Sequence, residues 1–195
     1  MKKIPTLFKR DEGNRKYVTL EYAVILPPHV LATQKLDGVC VAHFNGDWWF
    51  RREVNPQKHE PDGWVGVDKD EGTGKRVGWE PAKNSGFYLY LREALDEDDS
   101  LVDDIADSDE DTPLTYELLG PKINGNPHGE GDHWLYPHGR FELSDVPDGE
   151  DPEEIQRFVR SLPKEIEGIV WWHDCKPVAK LKRRDIAPYA SKEWS

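Results

Sequence analysis

Cysteine is scarce in this sequence, long apolar runs are missing and internal repeats are absent. Only Cys40 and Cys175 occur in 195 residues, too few for the disulfide framework of a small secreted domain or for a thiolate metal cage. Two reduced thiols in a cytoplasmic protein are the expectation. The opening stretch MKKIPTLFKRDEGNRKY carries no apolar run that could serve as a signal peptide. No segment approaches the length needed to span a bilayer, so a membrane is not an expected partner. With no repeat and no Pro- or Ser-rich linker, the chain reads as a single domain over 1–195.

Aromatic residues are plentiful, with Trp 8, Tyr 7 and Phe 6, which argues against a disordered chain. The net charge of -12 at first argues against a nucleic-acid partner. Its distribution reverses that reading. Residues 96–111, DEDDSLVDDIADSDED, hold ten acidic residues and no basic one, and the remainder is close to neutral. That run reads as a solvated acidic loop without the glycine and ligand spacing of an EF-hand. Further on, Lys176, Lys180, Lys182, Arg183, Arg184 and Lys192 face a single acid, Asp185, and a locally basic surface can bind phosphate whatever the global sum.

The patterning predicts antiparallel strands with few helices, an α+β fold. Tyr17 to Leu26, Val39 to Phe44, Trp48 to Val54, Leu114 to Leu119, Ile166 to Trp172 and Pro177 to Leu181 read as strands, with short candidates at His133 to Tyr136 and Phe141 to Leu143. Asn45-Gly46 favours a tight hairpin turn, because both residues tolerate positive φ. Residues 55–86, rich in Gly, Pro and charge, read as a long loop, and Gly120 to Gly131 as another. Phe87 to Leu95 fits a strand or a short helix. The clear helix is Asp151 to Leu162: Asp151 can cap it, Pro152 suits its first turn, and Ile155, Phe158, Val159 and Leu162 fall on one face.

Chemistry concentrates at Lys35-Leu36-Asp37-Gly38. A lysine becomes a nucleophile when burial or a neighbouring cation lowers its pKa. This one lies between the apolar Val30-Leu31-Ala32 and the hairpin strand. Lys-x-Asp-Gly alone is also what an ordinary turn looks like. Other pieces follow in order: Arg51-Arg52 after the hairpin turn, Glu117 within the apolar Leu114 to Leu119, Glu167 before Gly168-Ile169-Val170, and Lys180-Leu181-Lys182, whose two amines share a strand face.

That order resembles the covalent nucleotidyltransferase superfamily of DNA ligases, RNA ligases and mRNA capping enzymes, over roughly residues 30–185. A more specific stretch, Tyr116-Glu117-Leu118-Leu119-Gly120-Pro121-Lys122-Ile123-Asn124-Gly125-Asn126-Pro127, is similar to the glutamate motif of a small RNA ligase family with vertebrate members that join 5′-phosphate to 3′-hydroxyl ends. So are His133-Trp134-Leu135-Tyr136-Pro137-His138-Gly139 and Glu167-Gly168-Ile169-Val170-Trp171.

The resemblance implies an ATP-grasp-like nucleotidyltransferase domain of antiparallel sheets. It implies that Lys35 takes AMP from ATP with Mg2+ or Mn2+, that Asp37 supports it electrostatically and that Lys180 and Lys182 grip the α-phosphate. It further implies that Gln34 helps read adenine, Arg51 or Arg52 contacts ribose or phosphate, Glu117 binds a ribose hydroxyl, and Leu135 or Tyr136 stacks on the base. Glu167, and with it Glu117, would be the carboxylates toward the metal. RNA ends are the implied partner; protein partners are unknown.

Three readings compete: RNA ligase, the related DNA ligase or GTP-using capping guanylyltransferase, and a non-catalytic nucleotide or RNA binder. Only Arg183 to Ser195 follow the last lysine motif, so no OB-fold domain is expected within this chain. The even spacing of His128, His133 and His138 suggests zinc, but no cysteine or carboxylate completes a tetrahedral set. In each of Trp48-Trp49 and Trp171-Trp172, alternation predicts one core-facing and one exposed ring.

Overall fold

A computed structural model describes residues 2–97 and 114–188. Three strands open the chain: β1 (Phe8–Arg10), β2 (Val18–Tyr22) and β3 (Leu31–Lys35). They are followed by β4 (Val39–Phe44), β5 (Asp47–Val54), β6 (Val65–Lys69), β7 (Arg76–Pro81) and helix α1 (Tyr88–Glu97). Then come β8 (Leu114–Leu119), β9 (Trp134–Pro137), helix α2 (Pro152–Ser161), β10 (Gly168–His173) and β11 (Lys176–Lys182). Every strand pairing between these strands is antiparallel, and with two α-helices among the described residues this is the expected α+β class.

Packing divides the chain into two units. The first is built from Asp37–His138, and the second from Ile4–Leu36 together with the chain from Gly139 onward. The first unit is a six-stranded sheet of order β6-β7-β5-β4-β8-β9. The β4–β5 hairpin turns at Asn45 (φ 53) and Gly46 (φ 74), the conformation that pair favours. Val41, Phe50, Tyr116, Leu118 and Leu135 face α1, which buries Leu91 and Ala94 against them.

Residues 55–86 are not one long loop, because β6 and β7 form inside them. The sequence conceals them by using glycine where backbones crowd. A Cβ on Gly78 would stand 2.4 Å from both the Trp64 ring and Val65 O, so the period-two apolar signal is broken where packing is closest. Phe87 to Leu95 resolves as helix. Of the acidic run 96–111, Asp96 and Glu97 end α1 and the rest lies outside the described residues.

The second unit holds the three-stranded sheet β11-β10-β3 and the small β1-β2 pair. Helix α2 begins as its sequence predicts: Asp151 Oδ1 accepts from Glu153 N–H at 2.8 Å, with Pro152 in the first turn. Ile155, Val159 and Leu162 sit with Ile169, Trp171, Ala179 and Leu181 in one core, Phe158 packing on its margin. Phe141 to Leu143 is not a full strand. It joins β3 through the single bridge Thr33↔Glu142 and two flanking hydrogen bonds, Gln34 N–H to Phe141 O and Leu143 N–H to Ala32 O. Among the described residues no helix is long and apolar enough to cross a membrane.

Candidate active site

The register of the three-stranded sheet sets one row of residues across three strands. Gly168 of β10 lies opposite Lys35 of β3 on one side and Lys182 of β11 on the other. Glu167 precedes this row and is held by both neighbours: its N–H donates to Lys35 O at 3.0 Å and its carbonyl accepts from Arg183 N–H at 2.8 Å. Glycine is required beside it, because a Cβ on Gly168 would stand 2.0 Å from Leu181 O.

With the backbone fixed, the side chains converge. Lys35 Nζ lies 2.6 Å from Glu167 Oε2 and Lys182 Nζ lies 2.7 Å from Oε1. Arg184 Nη2 is 3.3 Å from Oε1, and Lys35 Nζ also donates to Leu36 O at 3.1 Å. Burial pushes the Glu167 carboxyl up, but Lys35 and Lys182 together outweigh burial and hold it below the ordinary value. Burial, then the Lys35 charge, lowers the Lys182 amine despite Glu167. Three cations surround one carboxylate, which leaves positive charge for an incoming anion.

Sequence reasoning counted Arg183 and Arg184 alike in a basic stretch and singled out neither. The structure separates them. Arg183 Nη2 donates to Leu162 O at 2.5 Å and Pro163 O at 2.7 Å, closing the C-terminal end of α2. Arg184 takes the other direction, toward Glu167. Lys180 is half-buried on the same face of β11 as Lys182, opposite Val170. Gln34 does not join this group. It stands opposite Ile169 in the register, on the face of β3 turned away from Lys35.

The first unit holds a second arrangement, around Glu117. This carboxylate is 8% exposed. Its Oε1 accepts from Gly38 N–H at 2.8 Å and its Oε2 lies 2.9 Å from His138 Nε2. Gly38 approaches so closely that a Cβ there would meet Leu118 O at 2.3 Å. Asp37 N–H donates to His128 Nε2 at 3.0 Å, while Asn124 Nδ2 donates to Asp37 Oδ1 at 3.2 Å and to Gly38 O at 2.9 Å. The Asp37-Gly38 turn is thus clamped by Glu117, Asn124 and His128. The last two carried no local signal, since the contacts span 86 to 91 positions.

Strand alternation resolves two open pairs in this unit. Arg51 lies on the Glu117 face of the sheet, opposite Trp79, whereas Arg52 lies on the α1 face and reaches Glu80 at 2.5 Å. Tyr136 stands directly opposite Glu117, while Leu135, 4% exposed, is part of the core beneath α1. Of the two, Tyr136 shares the Glu117 face and Leu135 does not. Tyr136 Oη donates to Glu130 at 3.0 Å, and burial followed by that bond pushes the phenol up to about 12.

The three evenly spaced histidines go to three separate partners: Asp37 N–H for His128, Glu93 for His133 at 2.7 Å, and Glu117 for His138. Among the described residues no group of three or more His, Cys, Asp or Glu side chains forms a metal cluster. Neither tryptophan pair has the exposed member expected of it. Trp48 and Trp49 are both half-buried, Trp49 stacked on Phe44. Trp171 is buried, and half-buried Trp172 donates from Nε1 to Thr33 Oγ1 at 2.9 Å.

Comparison with known proteins places the chain in a family. The family model described as RNA ligase 1 matches residues 41–189, starting just past the Lys35-to-Gly38 motif. RNA ligase 1 of Rattus norvegicus is 31% identical over 140 residues, covering 64% of this chain and 42% of that protein. The Mus musculus protein of the same name gives the same identity and coverage, and that of Danio rerio is 30% identical over 138 residues, or 64% and 40%. This chain therefore spans about 40% of the length of the curated relatives it matches. The match over most of the described sequence settles the grouping: this chain belongs to the RNA ligase 1 family.

Proposed function

We propose that this chain is the adenylylating core of an ATP-dependent RNA ligase with a covalent nucleotidyltransferase fold, and that Lys35 carries the AMP. The observation that supports it above all is the convergence of Lys35, Lys182 and Arg184 on Glu167, set by the register of three strands. Phosphoryl-type transfer asks for charge neutralisation on non-bridging oxygens and for an aligned nucleophile. Lys35 Nζ forms the bond to the α-phosphorus, the bond to pyrophosphate breaks, and Glu167 is the group within reach of the nitrogen's proton. Lys182, with Lys180 on the same face, steadies the α-phosphate. AMP then passes to an RNA 5′-phosphate, and a 3′-hydroxyl displaces it.

Glu167 fits a single-carboxylate role toward Mg2+ or Mn2+, directly or through water, since such ions take few protein ligands and rely on substrate phosphate. When bound, the ion supplies positive charge at the phosphate oxygens. Glu117 fits that role less well, because a backbone amide and a histidine ring hold its oxygens in fixed directions, whereas Glu167 faces ammonium groups that can turn away. We assign Glu117 a ribose hydroxyl, with Arg51 for a nucleotide phosphate or ribose and Tyr136 for the base. Asp37 acts through its place in the clamped turn.

The test is incubation with radiolabelled ATP or GTP and magnesium, followed by denaturing electrophoresis. Label from ATP should stay on the protein and vanish in Lys35→Ala. No retained label, or label from GTP alone, overturns the proposal. Parallel joining assays on 5′-phosphorylated RNA and DNA decide the nucleic acid.

A further inference from the structure

We infer that Arg184 is a phosphate-binding residue, reading a terminal phosphate group at the outer side of the Lys35–Glu167–Lys182 cluster. This rests on the function proposed above and extends it to a residue outside every motif that pointed there. Three observations carry it.

First, the two adjacent arginines are committed differently. Arg183 is consumed by backbone carbonyls at the end of α2, whereas Arg184 reaches the shared carboxylate, at 3.3 Å from Glu167 Oε1. Second, the exposure of the cations is graded. The Lys35 and Lys182 side chains are 18% and 17% exposed, and that of Arg184 is 66% exposed. The two lysines are enclosed, and the guanidinium stands toward solvent. Third, Glu167 cannot neutralise all three cations, and its shorter contacts, 2.6 and 2.7 Å, go to the lysines. Arg184 therefore keeps most of its charge available. A planar guanidinium suits a phosphate dianion because two of its N–H groups match two phosphate oxygens.

Two groups of that chemistry occur in the proposed reaction: the pyrophosphate portion of ATP and the 5′-phosphate of RNA. Both are terminal phosphates, and the experiment separates them. Arg184→Ala and Arg184→Glu are compared with Arg15→Ala, which removes one charge from an exposed position with no role in the site. Equilibrium binding of inorganic tripolyphosphate is measured by calorimetry. Binding of matched oligoribonucleotides bearing 5′-phosphate or 5′-hydroxyl is measured by fluorescence anisotropy at fixed salt.

We expect Arg184→Ala to weaken tripolyphosphate binding, or to reduce the preference for 5′-phosphate, by about tenfold, with Arg184→Glu losing more and Arg15→Ala unchanged. A loss confined to tripolyphosphate assigns the pyrophosphate portion, and a loss confined to the 5′-phosphate preference assigns RNA. If both Arg184 variants match Arg15→Ala in both assays, the inference is overturned. Neither assay needs turnover. Failure of Lys35 labelling in the unaltered chain would count against the ligase proposal alone, and failure of the Arg184 variants to lose binding would count against this inference alone.

Discussion

Glu167 and Glu117 are both shielded carboxylates beside a glycine that tolerates no side chain, yet they are held by opposite means. Glu167 answers charge with charge: two half-enclosed amines and a guanidinium share its oxygens. Glu117 is held by hydrogen bonds, one from the Gly38 amide and one shared with the His138 ring. The first arrangement can exchange partners when an anion arrives, since ammonium groups carry several donors and no fixed direction. The second is directional and ties a turn to a strand. The contrast separates a carboxylate held by exchangeable charges from one held by fixed hydrogen bonds, although both read as a lone glutamate near apolar residues.

The comparison breaks first at the glycines. In Gly168→Ala the new methyl would sit 2.0 Å from Leu181 O, and in Gly38→Ala it would sit 2.3 Å from Leu118 O. Both obstacles are backbone, so strands must shift. We expect a loss of about 3 kcal/mol or more in each, at the upper end for overpacking, read from urea denaturation midpoints. Only Gly168→Ala moves the row that aligns Lys35 with Lys182, so residual Lys35 labelling should be lower in that variant. Wild-type stability in either variant would show that the approach is looser than described.

Truncating the carboxylates sharpens the contrast. Glu167→Ala leaves Lys35 and Lys182 enclosed without their counter-ion, a loss of about 3 kcal/mol by comparison with broken buried ion pairs. Glu117→Ala strands one amide and a ring nitrogen, for about 1–2 kcal/mol. The two variants should also respond differently to sulfate. An anion can enter the bare cation cluster and stabilise the fold by binding, so sulfate should raise the Tm of Glu167→Ala beyond the general salting effect seen in Glu117→Ala. Equal responses would mean that charge does not distinguish the two sites.

How much of this was legible in the sequence follows the range of the interactions. Local devices were readable: the Asn45-Gly46 turn, the Asp151 cap, the amphipathic face of α2, and two glutamates set against apolar strands. So was the strand alternation that puts Lys180 and Lys182 on one face. Features set by distant contacts were hidden. Strands β6 and β7 depend on Trp64 lying over Gly78, and their glycines erase the alternating signal. The clamp on Asp37-Gly38 comes from Asn124 and His128, far along the chain in a loop of positive-φ asparagines. Gln34 looked like a neighbour of Lys35 because it is adjacent in sequence, but adjacency on a strand means opposite faces. The choice between Arg183 and Arg184 depended on where α2 ends, which no local pattern reports.

The smallest expected effect is in the pH dependence of stability, where the two members of one ion pair act at opposite ends of the scale. The folded-state value of Glu167 lies below its ordinary 4.5. Its contribution is therefore fully present above 4.5 and is lost as pH falls through the lowered folded value. Lys182 is also lowered, from 10.5, but for an amine this has the reverse meaning. The unfolded chain holds that proton more tightly, so this group lowers stability at neutral pH, and the loss is relieved as pH rises toward 10.5. Urea denaturation of wild type, Glu167→Gln and Lys182→Met from about pH 3 to about pH 10 checks both signs. The advantage of wild type over Glu167→Gln should shrink below 4.5, and Lys182→Met should lose the alkaline rise. An advantage of wild type over Glu167→Gln that stays constant through the acid range would mean that the lysines do not outweigh burial at Glu167, and the distinction between a charge-held and a hydrogen-bonded carboxylate would fail with it.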